Sequence, residues 1–242
     1  MIGLDIVLLP EELKSKNILD CLVVVIDVLR ASSSITTALA SGASKVIPVY
    51  LPGEARKKSK KFRPDEVLLC GERNGERLAG FNLGNSPLEY NNTMVKEKII
   101  LLTTTNGIRT IELVQKAKKV IIGCFLNIHA IVHYCNSYAG KVLLVCAGDR
   151  GNVSLEDTVC AGMMMSLSEN HSQKYDFQYD DSMIASYMYR KFNNSIITMM
   201  QKSVWGKHLI EMGLRQDLVF CAQENVYNLI PIIKGDSIVV HD

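Results

Sequence analysis

Acidic and basic side chains follow several apolar segments of this sequence, and their types suit the binding of an anion together with a divalent cation. Asp27 and Arg30 follow the apolar segment L-V-V-V-I, and Glu72 and Arg73 follow V-L-L-C. Carboxylate oxygens are ligands that Mg²⁺ prefers in proteins. Arginine binds phosphate, carboxylate or sulfonate oxygens through paired donors. The pattern therefore predicts a site for a small anion and a hard cation.

Two further apolar segments are also followed by polar residues, and in both cases a helix is predicted to begin there. I-I-L-L is followed by T-T-T-N-G-I-R, and V-L-L-V-C is followed by A-G-D-R-G-N-V-S-L-E-D. Helix N-termini and glycine-containing turns present backbone N–H groups to anions. The candidate residues in these two segments are Thr105, Asn106, Gly107, Arg109, Gly148, Glu156 and Asp157.

Structural alternatives stand beside these functional interpretations. Asp27 could cap a helix or pair with Arg30, and Glu72 and Arg73 could form a surface ion pair. Asn106 is also of a type that commonly caps helices. Ser154 and Asp157 have the spacing of a capping box, in which the acid also favours the positive end of the helix. Asp149 fits an ordinary loop acid. One residue could serve both purposes, so spacing alone does not separate the two interpretations.

Other catalytic signatures are absent from the sequence. It contains neither the phosphate-binding loop G-x-x-x-x-G-K-[ST] nor the dinucleotide fingerprint G-x-G-x-x-G. It also lacks H-E-x-x-H and the nucleophile elbow G-x-S-x-G. His129 and His133 have a spacing that can bind metal on a helix, but no third ligand is near them in the sequence. A nucleotide-binding transferase is therefore a weak alternative.

Short runs of Val, Ile and Leu alternate with helical stretches over the first two thirds of the chain. Continuous apolar runs indicate strands buried on both faces, and the alternation predicts helices on both sides of the sheet. We therefore predict a three-layer α/β/α sandwich with a mostly parallel or mixed sheet. The predicted strands are Ile2–Leu8, Leu22–Ile26, Lys45–Tyr50, Glu66–Cys70, Lys98–Thr103, Val120–Cys124 and Lys141–Cys146. The predicted helices are Ser32–Ser41, Pro52–Lys61, Gly107–Lys116, Asn127–Tyr138 and Leu155–Leu167.

The last part of the chain, about residues 169–242, reads as an elaboration of a single domain that spans residues 1–242. It begins with a polar segment that fits either a loop or a short helix. Two helices are predicted, Met183–Phe192 and Val204–Met212, the latter ended by a glycine. Short or edge strands are predicted at Leu218–Ala222, Leu229–Ile233 and Ser237–His241. The apolar character of these strands hints at a homo-oligomer.

The amino-acid composition limits the classes of protein to which this chain can belong. The 242 residues carry 27 Lys+Arg and 25 Asp+Glu, a net charge of +2 that argues against nucleic-acid or anionic-membrane binding. A chain of this size hides roughly 70% of its surface on folding, so it needs no metal or disulfide to build a core. Seven cysteines without a C-x-x-C pair predict reduced core residues. The N-terminus does not read as a signal peptide, so a cytoplasmic location is expected.

Several blocks of the sequence, taken in order, resemble one family, the 2-phosphosulfolactate phosphatases. The matching blocks are V-I-D-V-L-R-A-S-S-S-I at Val25–Ile35, G-E-R-N-G from Gly71, G-F-N-L-G-N-S-P at Gly80–Pro87, T-T-N-G-I-R at Thr104–Arg109 and C-A-G-x-x-G-x-x-S-L-E-D-T at Cys146–Thr158. A weaker match covers G-K-H-L at Gly206–Leu209 and D-L-V-F-C-A at Asp217–Ala222. The blocks are loose singly but specific in this order.

The resemblance implies a Mg²⁺-dependent enzyme of coenzyme M biosynthesis on an α/β/α fold. The implied reaction is the hydrolysis of (2R)-2-phospho-3-sulfolactate, or a related 2-hydroxy-acid phosphate, to 3-sulfolactate and phosphate. The substrate carries phosphate, carboxylate and sulfonate groups, so several cationic residues are expected around it.

Roles for individual residues follow from the blocks and the resemblance together. The expected metal ligands are Asp27, Glu72, Glu156 and Asp157, of which Asp27, Glu72 and Asp157 are also the candidate catalytic residues. Either Asp27 attacks phosphorus to give an aspartyl phosphate, or a metal-activated water attacks directly. The expected substrate-binding residues are Arg30, Arg73, Asn85, Thr105, Asn106, Gly107, Arg109, Gly148 and Lys207.

Two residues depart from the family pattern. Asn82 stands where the family usually has Asp, which removes a charge. Lys207 stands where the family tends to have Arg, which removes the paired donors. The first departure leaves open an alternative function, a non-catalytic anion-binding protein that keeps the phosphatase fold.

Overall fold

Apolar strands form a mixed sheet at the centre of the computed structural model, which describes residues 4–169 and 180–241. The strands in those ranges are β1 Leu4–Val7, β2 Leu22–Ile26, β3 Lys45–Pro48, β4 Val67–Arg73, β5 Glu76–Arg77, β6 Ile99–Thr103, β7 Lys119–Gly123, β8 Val142–Cys146, β9 Pro231–Lys234 and β10 Ser237–Val240. Their order across the sheet is β1-β8-β2-β7-β9-β10-β3-β6-β4-β5. The polar segment at 170–179 lies outside the described residues.

Helices cover both faces of the sheet, which confirms the predicted α/β class. They are α1 Ala31–Ala40, α2 Pro52–Ser59, α3 Asn92–Val95, α4 Gly107–Leu113, α5 Ile128–Ser137, α6 Leu155–Glu169, α7 Asp180–Phe192, α8 Ile196–Lys202, α9 Val204–Glu211 and α10 Arg215–Cys221. Val23 and Val25 of β2 share a core with α1 and α4, whereas Leu22, Val24 and Ile26 share a core with α5 and α6. Residues of one strand therefore alternate between two helical layers.

The cysteines are reduced core residues, as the sequence predicts. All seven cysteines lie in the described ranges, are buried and are free of disulfides. No helix in the described part of the chain is long and apolar enough to cross a membrane.

The sheet reverses direction at the hairpin of β9 and β10. β1, β8, β2 and β7 run parallel to one another, as do β3, β6 and β4. The antiparallel pairings of β9 and β10 between them reverse the second group. Adjacent strands are rotated by about 20–25°, so the steps from β2 to β4 accumulate roughly 120–150° of twist. The C-terminal ends of β2 and β4 nevertheless lie close together, since Asp27 and Glu72 line one pocket.

The structure corrects two assignments in the C-terminal part and adds a helix, α8, that was not predicted. Leu218–Ala222, predicted as a strand, belongs mainly to α10, because Leu218 and Cys221 are buried at helical spacing while Val219 is 42% exposed. A five-residue apolar run cannot distinguish the two structures by itself. β9 and β10 are strands as predicted, but they lie inside the sheet and not at its edge. Their apolar character is therefore explained by burial within the chain.

Gly71 is the residue of β4 that immediately precedes Glu72, and its backbone leaves no room for a side chain. Its φ is +144°, and an added Cβ would lie 2.0 Å from the carbonyl oxygen of Thr103 on β6. We expect Gly71→Ala to lower the free energy of unfolding by about 2 kcal/mol or more, from the clash and the backbone strain. Urea unfolding measures this.

Gly80→Ala is the matched control for that substitution. Gly80 has a φ of +75° with nothing within 4 Å of an added Cβ, so it isolates the backbone strain, about 1–2 kcal/mol. Equal losses of stability in the two variants would contradict the role given to close packing at Gly71.

Candidate functional site

A small pocket lies where the C-terminal ends of β2, β4, β6 and β8 converge. This is the edge at which open α/β sheets bind ligands. Its lining residues are Asp27, Leu29, Arg30, Glu72, Asn85, Thr104, Thr105, Asn106, Asp149, Arg150 and Trp205. Six of the residues that the sequence predicts for the site are among them.

Asp27 follows β2 and is held by the start of α1. Its Oδ1 accepts a hydrogen bond from the backbone N–H of Ala31 at 3.1 Å. Gly107 at the start of α4 lies so close that an added Cβ would be 2.6 Å from Asp27 Oδ2, so glycine is required there. The pKa of Asp27 is raised to about 7, mainly by burial and also by the charges of Glu72 and Glu156, while hydrogen bonds from the N–H groups of Ala31 and Gly107 oppose the shift.

Glu72 is fixed by the two segments that flank it in space. Its Oε1 accepts hydrogen bonds from the backbone N–H and the hydroxyl of Thr105, both at 3.0 Å. Its Oε2 accepts one from the N–H of Gly75 at 2.8 Å, in the turn between β4 and β5. The buried carboxylate therefore joins the end of β4 to the segment after β6.

Glu156 and Asp157 are buried in the first turn of α6, behind the lining of the pocket. Asp157 Oδ1 accepts from the N–H of Val28 at 2.8 Å, and Oδ2 accepts from the N–H of Gly148 at 3.3 Å. Burial raises the pKa of both acids, and the charges of Asp27 and Glu156 raise that of Asp157 further. Ser154 Oγ caps the N–H of Asp157 at 3.2 Å, so Ser154 is the cap while the Asp157 carboxylate reaches the segment after β2.

The donor set suits a hard cation held by few protein ligands. No three His, Cys, Asp or Glu side chains among residues 4–169 and 180–241 are close enough to hold a metal ion together. Mg²⁺, however, is usually bound through one or two carboxylates and several waters. Asp27 and Glu72 line the pocket, and the buried amide oxygen of Asn85, another lining residue, has no hydrogen-bond partner. These oxygens fit Mg²⁺, whereas Glu156 and Asp157 are not part of the lining.

Arg30 is a buried cation of the pocket, and its orientation depends on α10. Its Nη1 lies 2.7 Å from Asp217 Oδ2, and both side chains are 2% exposed. Its Nη2 donates to the carbonyl oxygen of Gly75 at 2.9 Å. The other oxygen of Asp217 accepts from the Ser86 hydroxyl at 2.6 Å, next to Asn85. One carboxylate thus connects α10 to two segments of the pocket.

Seven sequence-predicted residues do not line the pocket. Gly107, Glu156 and Asp157 are described above, and the other four are Arg73, Arg109, Lys207 and Gly148. Arg73 donates to the backbone oxygens of Glu72 and Tyr50. Arg109 is half exposed and pairs with Glu11 at 3.1 Å. Lys207 is exposed on α9 and is not part of the lining. Gly148 contributes its N–H to Asp157 behind the lining.

Asn82, the departure from the family pattern, also lies outside the pocket lining. Its Oδ1 accepts a hydrogen bond from the N–H of Leu69 on β4 at 2.8 Å. An amide oxygen and a carboxylate oxygen both accept such a bond. The negative charge that Asn82 lacks, compared with the Asp usual in the family, would therefore lie outside the pocket lining.

Sequence reasoning did not assign five residues that the structure places at or next to the pocket: Leu29, Thr104, Arg150, Trp205 and Asp217. Arg150 follows β8 as Arg30 follows β2, so its position after a strand was a usable signal. Asp217 follows no predicted strand, and only the weak family match at Asp217–Ala222 pointed to it. Asn106, by contrast, makes no side-chain cap on α4; its Nδ2 donates to Asp149 Oδ1 at 3.3 Å.

Comparison with known proteins places the chain in one family. A family model described as 2-phosphosulpholactate phosphatase matches residues 7–236. A probable 2-phosphosulfolactate phosphatase of Caldanaerobacter subterraneus subsp. tengcongensis is 42% identical over 225 residues, 93% of this chain and 90% of that protein. Proteins of the same name from Thermotoga maritima and Clostridium acetobutylicum are 41% and 34% identical, covering 90% and 98% of this chain and 92% and 99% of their own lengths.

These matches define a class of phosphoric monoester hydrolases. The chain belongs to the 2-phosphosulfolactate phosphatase family, as its motifs predicted.

The buried ion pair of Arg30 and Asp217 gives a test of how the site is supported. Removing one partner of a buried pair leaves an uncompensated charge, so we expect Asp217→Ala to lower the free energy of unfolding by about 3–5 kcal/mol. The matched control is Asp236→Ala, because Asp236 pairs with Lys58 at the same 2.7 Å but is 66% exposed. An exposed pair is worth at most about 1 kcal/mol. Similar losses in the two variants, measured by denaturant unfolding, would refute the role of Asp217.

Proposed function

We propose that this protein is a Mg²⁺-dependent phosphatase that hydrolyses (2R)-2-phospho-3-sulfolactate, or a related 2-hydroxy-acid phosphate, to 3-sulfolactate and phosphate. The family supports the reaction class. The observation that carries the proposal is the pocket at the strand ends, in which buried carboxylates face an arginine. A phosphate monoester and a divalent cation together supply the charges that such a pocket requires.

The proposed cation ligands are Asp27 and Glu72, with the amide oxygen of Asn85 as a third donor. When bound, Mg²⁺ would supply neutralisation of the negative charge on the phosphoryl oxygens. The protein's own contribution is to hold these oxygens in fixed places through the N–H groups of Ala31 and Gly75 and both donors of Thr105. Fixed ligands cost little reorganisation during the reaction.

Arg30 is the proposed phosphoryl-binding cation. Asp217 and the carbonyl oxygen of Gly75 each take one of its terminal nitrogens, which fixes the guanidinium plane within the pocket. A guanidinium that is already oriented loses less conformational freedom when an anion binds.

The attacking nucleophile is either Asp27 or water. In the first case an Asp27 oxygen forms a bond to phosphorus while the ester oxygen leaves, and water then hydrolyses the aspartyl phosphate. In the second case water attacks phosphorus directly, and a carboxylate of the pocket accepts its proton. Rapid acid quench with labelled substrate separates the two, because only the first gives protein-bound phosphate.

Phosphate release tests the proposal directly. We expect EDTA-treated protein to release phosphate from 2-phosphosulfolactate only after Mg²⁺ is added. Asp27→Asn should lower kcat by more than about 100-fold, because it removes a charge that the reaction needs. The control Asp20→Asn, at an exposed position, should behave as wild type.

Absence of release from either 2-phosphosulfolactate or 2-phospholactate, in folded protein with Mg²⁺, would contradict the proposed function. Binding of 3-sulfolactate under those conditions would instead support the non-catalytic alternative. Full activity of Asp27→Asn would remove Asp27 from the proposed mechanism.

A further inference from the structure

Arg150 projects from the loop after β8 and is held at the mouth of the pocket by three other segments. Its guanidinium lies over the ring of Trp205 on α9, with its central carbon 5.6 Å from the ring centroid. Its Nη2 donates to Asn74 Oδ1 at 3.1 Å, and its backbone N–H donates to Asn106 Oδ1 at 3.4 Å. An exposed arginine that is stacked on an aromatic ring and hydrogen-bonded is oriented before any ligand binds.

The turn that carries Asn74 is itself fixed against α9. His208 Nε2 lies 3.4 Å from the carbonyl oxygen of Asn74, and the rings of His208 and Trp205 are 4.8 Å apart. A Cβ on Gly75 would lie 2.7 Å from the sulfur of Met212, so this turn packs tightly on the helix. The surroundings of Arg150 are therefore built from packed elements.

Two arginines line the pocket in the part of the chain that the structure describes, and they differ in how far they are already neutralised. Arg30 is buried against Asp217 at 2.7 Å. The Arg150 side chain is 53% exposed, and its nearest paired carboxylate oxygen, on Asp149, is 3.9 Å away. Arg150 thus retains charge and donors for a ligand at the mouth, while the buried carboxylates lie at the inner end.

A 2-hydroxy-acid phosphate carries an anionic group besides the phosphate. If the phosphate binds near Asp27 and Glu72, as the proposed function requires, the remaining carboxylate or sulfonate needs a cation elsewhere in the lining. Both groups present oxygens that accept paired hydrogen bonds from a guanidinium. We propose that Arg150 binds this second anionic group and so determines which phosphate esters the enzyme accepts. The inference rests on the proposed function.

The test compares three substrates that differ in their second anionic group. They are 2-phosphosulfolactate, 2-phospholactate, which lacks the sulfonate, and the phosphate ester of 2-hydroxyethanesulfonate, which lacks the carboxylate. We expect Arg150→Gln to lower kcat/KM by about 10- to 100-fold, mainly through KM, on substrates that carry the recognised group. On the substrate that lacks it, the change should be less than about 3-fold. The insensitive substrate identifies the recognised group as sulfonate or carboxylate.

Further variants separate recognition from structural damage. Arg150→Lys keeps the charge but loses the paired donors, so it should recover only part of kcat/KM. Trp205→Leu removes the ring under the guanidinium and should give the same substrate-selective loss in weaker form. Arg63→Gln changes an arginine that is 72% exposed and not part of the lining, and should leave all three substrates unaffected.

The outcomes distinguish this inference from the proposed function. An equal loss on all three substrates, or no loss on any, overturns the role of Arg150 while phosphatase activity of the wild type still stands. If the wild type hydrolyses none of them, the proposed function fails. The binding of 3-sulfolactate, measured by calorimetry, then tests the inference. If Arg150 binds the anion, Arg150→Gln weakens the binding of 3-sulfolactate. Unchanged binding in the variant, or no binding by the wild type, overturns the inference.

Discussion

Buried carboxyl groups that lie close together are the constraint on which the rest of the site depends. Asp27, Glu72, Glu156 and Asp157 are only 3–7% exposed. They lie at or shortly after the C-terminal ends of β2, β4 and β8. Charges of one sign repel strongly where water is excluded, and burial alone disfavours ionisation. The raised pKa of Asp27, to about 7, expresses this strain. A bound divalent cation would reduce this repulsion between the carboxylates, and the proposed Mg²⁺ is such a cation.

The scaffold keeps these groups in place with backbone donors from distant parts of the chain. Asp157 of α6 accepts a hydrogen bond from Val28, and Glu72 of β4 accepts one from Thr105, so each carboxylate joins two distant segments of the chain. Close backbone approach at Gly71 and Gly107 is needed for the same geometry. Asp27 and Glu72 line one pocket although β2 and β4 belong to strand groups that run in opposite directions. The contacts that hold the fold together therefore also position the site.

Part of this arrangement was predictable from the sequence. Continuous apolar runs located the parallel strands, and position after a strand indicated Asp27, Arg30 and Glu72. Distant contacts were not predictable, because nothing local indicates that Asp217 of α10 reaches Arg30, or that Arg109 turns outward to Glu11. The short run at 218–222 was assigned wrongly because its length fits either a strand or a helix.

Calorimetric titration of Mg²⁺ into EDTA-treated protein, at pH 6 and pH 8 in buffers of different ionisation enthalpy, tests the central claim most directly. At pH 6 Asp27, with a pKa of about 7, is mainly protonated, so a cation bound there must displace a proton. We expect proton release and weaker binding at pH 6, tighter binding with little release at pH 8, and loss of both effects in Asp27→Asn. Absence of Mg²⁺ binding, or binding of equal affinity at both pH values without proton release, would contradict the account.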